Sequence, residues 1–236
     1  MTFTTKIEHS IGYITINKPP MNALNSNDWL SFYKLFEEQA FNDEIKAIII
    51  DSHGKGFCSG TDSNEHKDLA FEKKVKVYEK INGGVWKLVQ AIERSQVPVI
   101  VCCSNFVVGA GMLIAMSADF IFAESKTQFK FPGIKLGVFA GISNALSLLP
   151  KPLAKKMLYT GEPIFAEELF KYGVITEICS TKEALSKESI ELAKKITSHK
   201  REHLIMMKSL ILENKNHSSS LKNELSASIN LLKSLD

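Results

Sequence analysis

Polar and apolar positions alternate at the start of the chain, through Ile7-Glu8-His9-Ser10-Ile11-Gly12-Tyr13-Ile14-Thr15-Ile16. This period-2 pattern predicts two strands around a turn at residues 10–12. Lys18-Pro19-Pro20 breaks the second strand, because proline has no N–H to give to a ladder. Asn25 or Ser26 is placed to cap a helix whose apolar stripe is Trp29, Phe32, Tyr33, Leu35 and Phe36. Lys46-Ala47-Ile48-Ile49-Ile50 and Val97-Pro98-Val99-Ile100-Val101 are short, continuous apolar runs, as expected of strands buried on both faces. Asp119-Phe120-Ile121-Phe122-Ala123 reads as a third such strand. A charge-rich helical stretch over 65–94 separates the first two, loosened at Gly83-Gly84, and Gly109-Ala110-Gly111 opens an apolar helix before the third. From about residue 142 the pattern is mainly helical, with Gly161 and Gly173 as helix stops. Residues 182–195 are amphipathic, with Leu185, Ile190, Leu192 and Ile196 facing inward. The fold class is therefore α/β, divided into a core over 1–190 and a helical C-terminal region over 191–236.

Composition narrows the class. The chain has 236 residues, 44% of them apolar and 23% charged, which excludes disordered and fibrous proteins. Lys and Arg number 29 against 26 Asp and Glu, a net charge of +3, too balanced to predict binding to nucleic acid or an anionic membrane. No apolar run reaches the length of a bilayer span, and MTFTTKIEHS lacks the basic-then-apolar pattern of a secretion signal. Cys58, Cys102, Cys103 and Cys179 show neither disulfide-framework nor metal spacing, so a reduced, cytoplasmic protein is expected. His9, His53, His199, His203 and His217 are scattered. A zinc pair at His199 and His203 is outweighed by two ordinary polar positions, and no metal site is expected.

Candidate chemistry gathers at two glycine-rich turns, each following a buried strand: Gly54-Lys55-Gly56-Phe57-Cys58-Ser59-Gly60-Thr61-Asp62 and Gly109-Ala110-Gly111. Small residues let a ligand approach the backbone, and a helix start presents free N–H groups. Two N–H groups converging on one oxygen make an oxyanion hole. Either motif alone reads as a tight turn, and neither matches a phosphate loop.

Taken in order along the chain, the motifs resemble the crotonase (enoyl-CoA hydratase/isomerase) superfamily. They are Pro20-Met21-Asn22-Ala23-Leu24-Asn25, Gly56 through Asp62, Val97-Pro98-Val99-Ile100, Gly109-Ala110-Gly111 and Ser117-Ala118-Asp119. Gln128-Phe129 with Pro132, Leu136-Gly137, Thr160-Gly161-Glu162-Pro163-Ile164 and Ala166-Glu167-Glu168 through Gly173-Val174 complete the set. The resemblance implies a spiral of ββα turns with a C-terminal trimerisation region, and a homotrimer or hexamer that binds acyl-CoA thioesters. It implies no cofactor beyond the coenzyme A carried by the substrate. It assigns the Thr61 and Ala110 N–H groups to an enolate-stabilising hole. Pro20, Met21, Ala23, Ser59, Asp62 and Ser63 line its coenzyme A side, with Asp62 equally readable as a loop brace.

The resemblance also implies two catalytic glutamates for hydration. At their positions stand Leu113 and Gly133, and the stretch used by isomerases is Val138-Phe139-Ala140-Gly141-Ile142. Neither leucine nor glycine transfers protons, so enoyl-CoA isomerisation, in fatty acid metabolism, is expected over two-glutamate hydration. The alternatives are a non-catalytic acyl-CoA-binding protein and a thioester hydrolase. Glu65 and His66 are candidates for a relocated base, outweighed by a solvated helix start, and Ser143 and Asn144 are expected to cap a helix. Cys58 reads as a packing residue, and Lys151, Lys155 and Lys156 as surface. The resemblance includes a further C-terminal helix beyond Leu232-Lys233-Ser234-Leu235-Asp236, so an open acyl tunnel or cover from a neighbouring subunit is expected.

Overall fold

In the computed structural model, residues 1–137 and 141–213 are described. Strands β1 (Phe3–Glu8) and β2 (Ile11–Ile16) form a hairpin in which Glu8 pairs with Ile11. The turn is therefore His9-Ser10, both with positive φ, the backbone that a two-residue hairpin requires. Helix α1 (Ser26–Ala40) starts at Asn25, whose side chain accepts from the Asn27 and Asp28 N–H groups while Asp28 bonds back to the Asn25 N–H. This reciprocal cap satisfies N–H groups that the first turn leaves unpaired.

Strand β3 (Ala47–Ser52) runs parallel to β2, and α2 (Phe71–Glu93) follows. The helix is continuous through Gly83-Gly84 rather than loosened there. Gly84 packs on α1: a Cβ on it would lie 2.9 Å from Trp29 Cβ, so the absent side chain serves helix–helix approach. Strand β4 (Val99–Cys103) lies against β3, and β5 (Phe106–Val108) leads into α3 (Ala110–Ser117). Strands β6 (Phe120–Glu124) and β7 (Gln128–Lys130) repeat the step, followed by α4 (Gly133–Leu136), α5 (Ile142–Leu148) and α6 (Lys151–Thr160). Gly161 ends α6 in the left-handed conformation, as expected of a helix stop. Strand β8 (Ile164–Phe165), α7 (Ala166–Lys171), β9 (Glu177–Cys179), α8 (Lys182–Thr197) and α9 (Arg201–Glu213) complete the described chain. Residue 190 falls inside α8.

The large sheet has the order β1-β2-β3-β4-β6-β9, parallel except for the first pair; the small one has β5-β7-β8. Cys58 bridges Val107 and Leu24 bridges Thr61, both in parallel, which continues the small sheet's line through the loops. Each turn of the chain thus lays one stretch in each layer and returns through a helix, the ββα spiral. Both faces of the large sheet's inner strands are covered, which explains their continuous apolar runs, while edge strand β1 is exposed beyond Phe3. Ile48, Ile50, Val99 and Val101 enter the main core with Trp29, Phe32 and Phe36, while Ile49, Ile100 and Cys102 face Leu185 and Ala193 of α8. Helix α9 is tied down by Arg201, which donates to Ile45 O and Gln96, and by Lys208, bonded to Asp119.

Candidate functional site

The first glycine-rich loop leaves β3 and folds against residues 21–24. Ser59 N–H donates to Met21 O, Leu24 N–H to Gly60 O, and Asp62 N–H to Leu24 O. Asn22, missed as a functional position, organises the loop. It is fully buried at φ 53°, and its amide donates to the carbonyls of His53, Gly56 and Phe57 at 2.8, 2.9 and 3.1 Å. Asparagine tolerates left-handed backbone, a signal at this position beside its place in the Pro20–Asn25 motif. The Leu24–Thr61 bridge uses Gly60 O and Asp62 N–H, so the Thr61 N–H faces the other way.

The second loop meets the first. Val108 N–H donates to Cys58 O, and Gly109 N–H to Lys130 O. Ala110 opens α3, so its N–H lacks an i−4 acceptor. Gly60 (φ +90°) is held so close that a Cβ would sit 2.9 Å from Val108 O and 3.4 Å from Ala110 N. A Cβ on Gly111 would sit 2.6 Å from Cys58 O. Both glycines are thus required where the loops touch. Among the described residues neither the Thr61 nor the Ala110 N–H has a hydrogen-bond acceptor, and both residues line one cavity of about 150 Å3.

The remaining walls are mostly apolar. Helix α2 supplies Tyr78, Ile81, Asn82 and Val85, spaced as one helical face. Leu113, 8% exposed, comes from α3, and Phe131, Pro132, Gly133 and Leu136 close the far side. Ser59 adds a hydroxyl beside Thr61. The described lining residues include no carboxylate, imidazole or amine.

The other expected positions divide. Pro20, Met21 and Ser63 are exposed and Ala23, Ser59 and Asp62 half-buried along the strip where the two segments pair. Asp62 Oδ1 accepts from Asn64 N–H at 3.0 Å, the Asx brace, and its other oxygen lies 3.7 Å from Lys18 Nζ. Glu65 and His66 are not a solvated helix start. Glu65 accepts from Ser26 N–H and Ser26 Oγ at 2.7 and 2.5 Å, anchoring the loop to the start of α1. His66 is buried, its ring 4.4 Å from that of Tyr78, and its Nδ1 has no partner among the described residues. Partners 39 residues away for Glu65 leave no local pattern to read.

Cys58 is buried, its thiol donates to Asn22 O at 3.2 Å, and burial pushes it up to about 12. It is a packing residue, not a nucleophile. Ser143 and Asn144 do not cap α5, which starts at a left-handed Gly141 without a side-chain cap. Lys151, Lys155 and Lys156 are exposed on α6, away from the cavity lining. His199 precedes α9 while His203 lies on it, and no group of three or more metal-ligating side chains occurs among the described residues. Residues 138–140, His217 and the chain end at 232–236 lie outside the described residues. No described helix is long and apolar enough to cross a membrane.

A family model described as enoyl-CoA hydratase/isomerase matches residues 6–236. The chain is 29% identical over 203 residues to the mouse enoyl-CoA hydratase domain-containing protein 3, mitochondrial, covering 84% of this chain and 66% of that one. It is 29% identical over 197 residues to the short-chain-enoyl-CoA hydratase of Clostridium acetobutylicum, covering 81% and 74%. The crystal structure of human enoyl coenzyme A hydratase domain-containing protein 3 superposes with a TM-score of 0.91 at 24% identity, over 99% of this chain and 92% of that one. That likeness is one of fold, and the family match spans nearly the whole sequence. This chain belongs to the enoyl-CoA hydratase/isomerase (crotonase) family.

Proposed function

We propose that this protein binds acyl-CoA thioesters and stabilises their enolates, with isomerisation of enoyl-CoA favoured over two-glutamate hydration. One observation carries the reading: two backbone N–H groups without acceptors among the described residues, from Thr61 and Ala110, which line one cavity. An enolate oxygen is more anionic than the thioester carbonyl, so preorganised donors favour the transition state over the ground state. Leu113 and Gly133 stand on the same wall at the positions assigned to glutamates by resemblance. General acid–base catalysis contributes about 10²–10⁴-fold per positioned group, and the described wall residues include no carboxylate to supply it for water addition.

The strip containing Pro20, Met21, Ala23, Ser59, Asp62 and Ser63 takes the coenzyme A part of the substrate, with no other cofactor. The protein works in the cytoplasm as a homotrimer or hexamer, with a core over 1–190 and an assembly region over 191–236. The mouse relative is named as a mitochondrial protein. A wall whose described residues carry no carboxylate, imidazole or amine also suits a silent acyl-CoA binder, the second reading.

The test incubates the protein with a 3-enoyl-CoA and with a 2-enoyl-CoA, following mass and conjugated-thioester absorbance. Interconversion without mass change supports the isomerase. Gain of water refutes the inference from Leu113 and Gly133. Binding of both thioesters without turnover supports the silent binder.

A further inference from the structure

We propose that Tyr78 is the proton-transferring side chain of this cavity and that His66 is its positioning residue. The inference rests on the enolate reading above and supplies the group that reading lacks. Tyr78 heads the face of α2 that lines the cavity, on the same cavity as Thr61 and Ala110. Among the described lining residues it carries the one phenol. A phenol donates and accepts a proton, whereas serine, threonine and asparagine side chains hold theirs throughout the range in which proteins stay folded. Behind it, His66 packs ring against ring at 4.4 Å and an interplanar angle of 36°. His66 is 8% exposed and its Nδ1 is buried without a partner among the described residues. A buried polar atom left unpaired is unfavourable, yet the His66 ring is kept here against the Tyr78 ring, so the ring contact is what holds Tyr78 in place.

In an isomerisation the phenol first ionises to solvent. The phenolate oxygen then takes the C2 proton of a 3-enoyl thioester. An O–H bond forms and the C2–H bond breaks, and the released electron pair delocalises onto the thioester oxygen held by the two N–H groups. The same phenol returns that proton to C4, the double bond ends between C2 and C3, and the phenolate is regenerated. No oxidant or second reactant is consumed.

The test uses the full chain with two probes in D2O: a 3-enoyl-CoA for isomerisation and butyryl-CoA for exchange of its C2 hydrogens. Tyr78→Phe keeps the ring contact with His66 and removes only the hydroxyl. It is expected to lower both rates by about 10²–10⁴-fold with KM little changed. Full rates in folded Tyr78→Phe overturn the assignment while leaving the isomerase reading intact. Exchange that depends on Tyr78, without isomerisation, overturns the isomerase reading and supports this one. Neither reaction in the unaltered protein, with binding confirmed, overturns both. His66→Phe, which preserves the ring, is expected to retain kcat that His66→Ala loses at unchanged KM. Equal loss in both overturns the positioning role.

Discussion

Replacing Gly111 by alanine tests whether the contact between the two loops sets the geometry of the proposed enolate site. The new Cβ would lie 2.6 Å from Cys58 O and 2.8 Å from Cys58 Cβ, against about 3.4 Å for ordinary contact. Either α3 or the loop carrying Cys58 must withdraw by roughly 0.8 Å, the difference of those two distances. Cys58 O also accepts the Val108 N–H at 2.9 Å, so the shift strains that bond as well. Overpacking of this kind costs about 1–3 kcal/mol of stability. For a chain of this size each kcal/mol lowers Tm by about 2–4 °C.

The catalytic cost is separate and larger. In the proposed site, a donor withdrawn by that distance from a hydrogen bond of about 2.9 Å falls outside hydrogen-bond reach. Loss of one such donor raises a barrier by about 2.7–4 kcal/mol, or ~10²–10³ in rate. The assay is the C2 hydrogen exchange of butyryl-CoA in D2O, run well below the measured Tm so that the variant is folded. A Tm fall with exchange still at the unaltered rate would refute the argument, because the loops would then have moved without disturbing the site.

Gly83 and Gly84 separate propensity from packing within α2. Nothing lies within 4 Å of a Cβ on Gly83, so Gly83→Ala is expected to raise stability by about 0.5–1 kcal/mol in urea unfolding. Gly84→Ala pushes against Trp29 and is expected to lower it by about 1–3 kcal/mol; the same sign for both would contradict the helix contact described here. Leu113→Glu with Gly133→Glu is expected to confer hydration on a 2-enoyl-CoA, read as a gain of water by mass. A folded double variant with no gain argues against these two positions as the sites of the absent acids. Burial pushes the Cys58 and Cys102 thiols up to about 12, far above the ~8.5 of an exposed thiol. Their contribution to stability is therefore intact below about pH 8.5 and lost as pH rises toward 12, by up to ~1.4 kcal/mol per pH unit per thiol. Urea unfolding at pH 8, 9.5 and 10.5 checks this, and a Cys58→Ala, Cys102→Ala variant with an equally steep alkaline decline would contradict it.

The strands were legible because both faces of the large sheet are covered. Ile48-Ile49-Ile50 sends alternate side chains to two different cores, so the whole run must be apolar. Asn25 was legible for a local reason too, since a cap bonds to residues two and three positions on. Gly83-Gly84 misled because an absent side chain looks like weakness along the chain, when Gly84 answers a partner on α1. Glu65 and His66 were misread for the same reason in reverse. Charge at a helix start is commonly solvated, and only the fold brings Ser26 to one and Tyr78 to the other. The two N–H groups stood between these cases. The glycine spacing marked where backbone could approach a ligand, but the contact that brings both residues to one cavity depends on Gly60 and Gly111 sitting against the opposite loop.

The proposed site separates two functions that sequence change affects differently. Its proposed anion-stabilising groups are main-chain atoms, so side-chain substitution in the loops leaves them in place provided the close-approach glycines remain. Proton transfer depends on side chains of the wall, and one substitution removes it. A donor contributes about 2.7–4 kcal/mol and a positioned acid or base ~10²–10⁴ in rate, magnitudes of the same order. A cavity with the first and without the second would polarise a thioester and release it unchanged. The wall formed by Leu113, Phe131 and Gly133 moves this chain toward that limit. Tyr78 is the described wall residue able to draw it back, which makes the loss of a single hydroxyl oxygen the sharpest division between an enzyme and a binder.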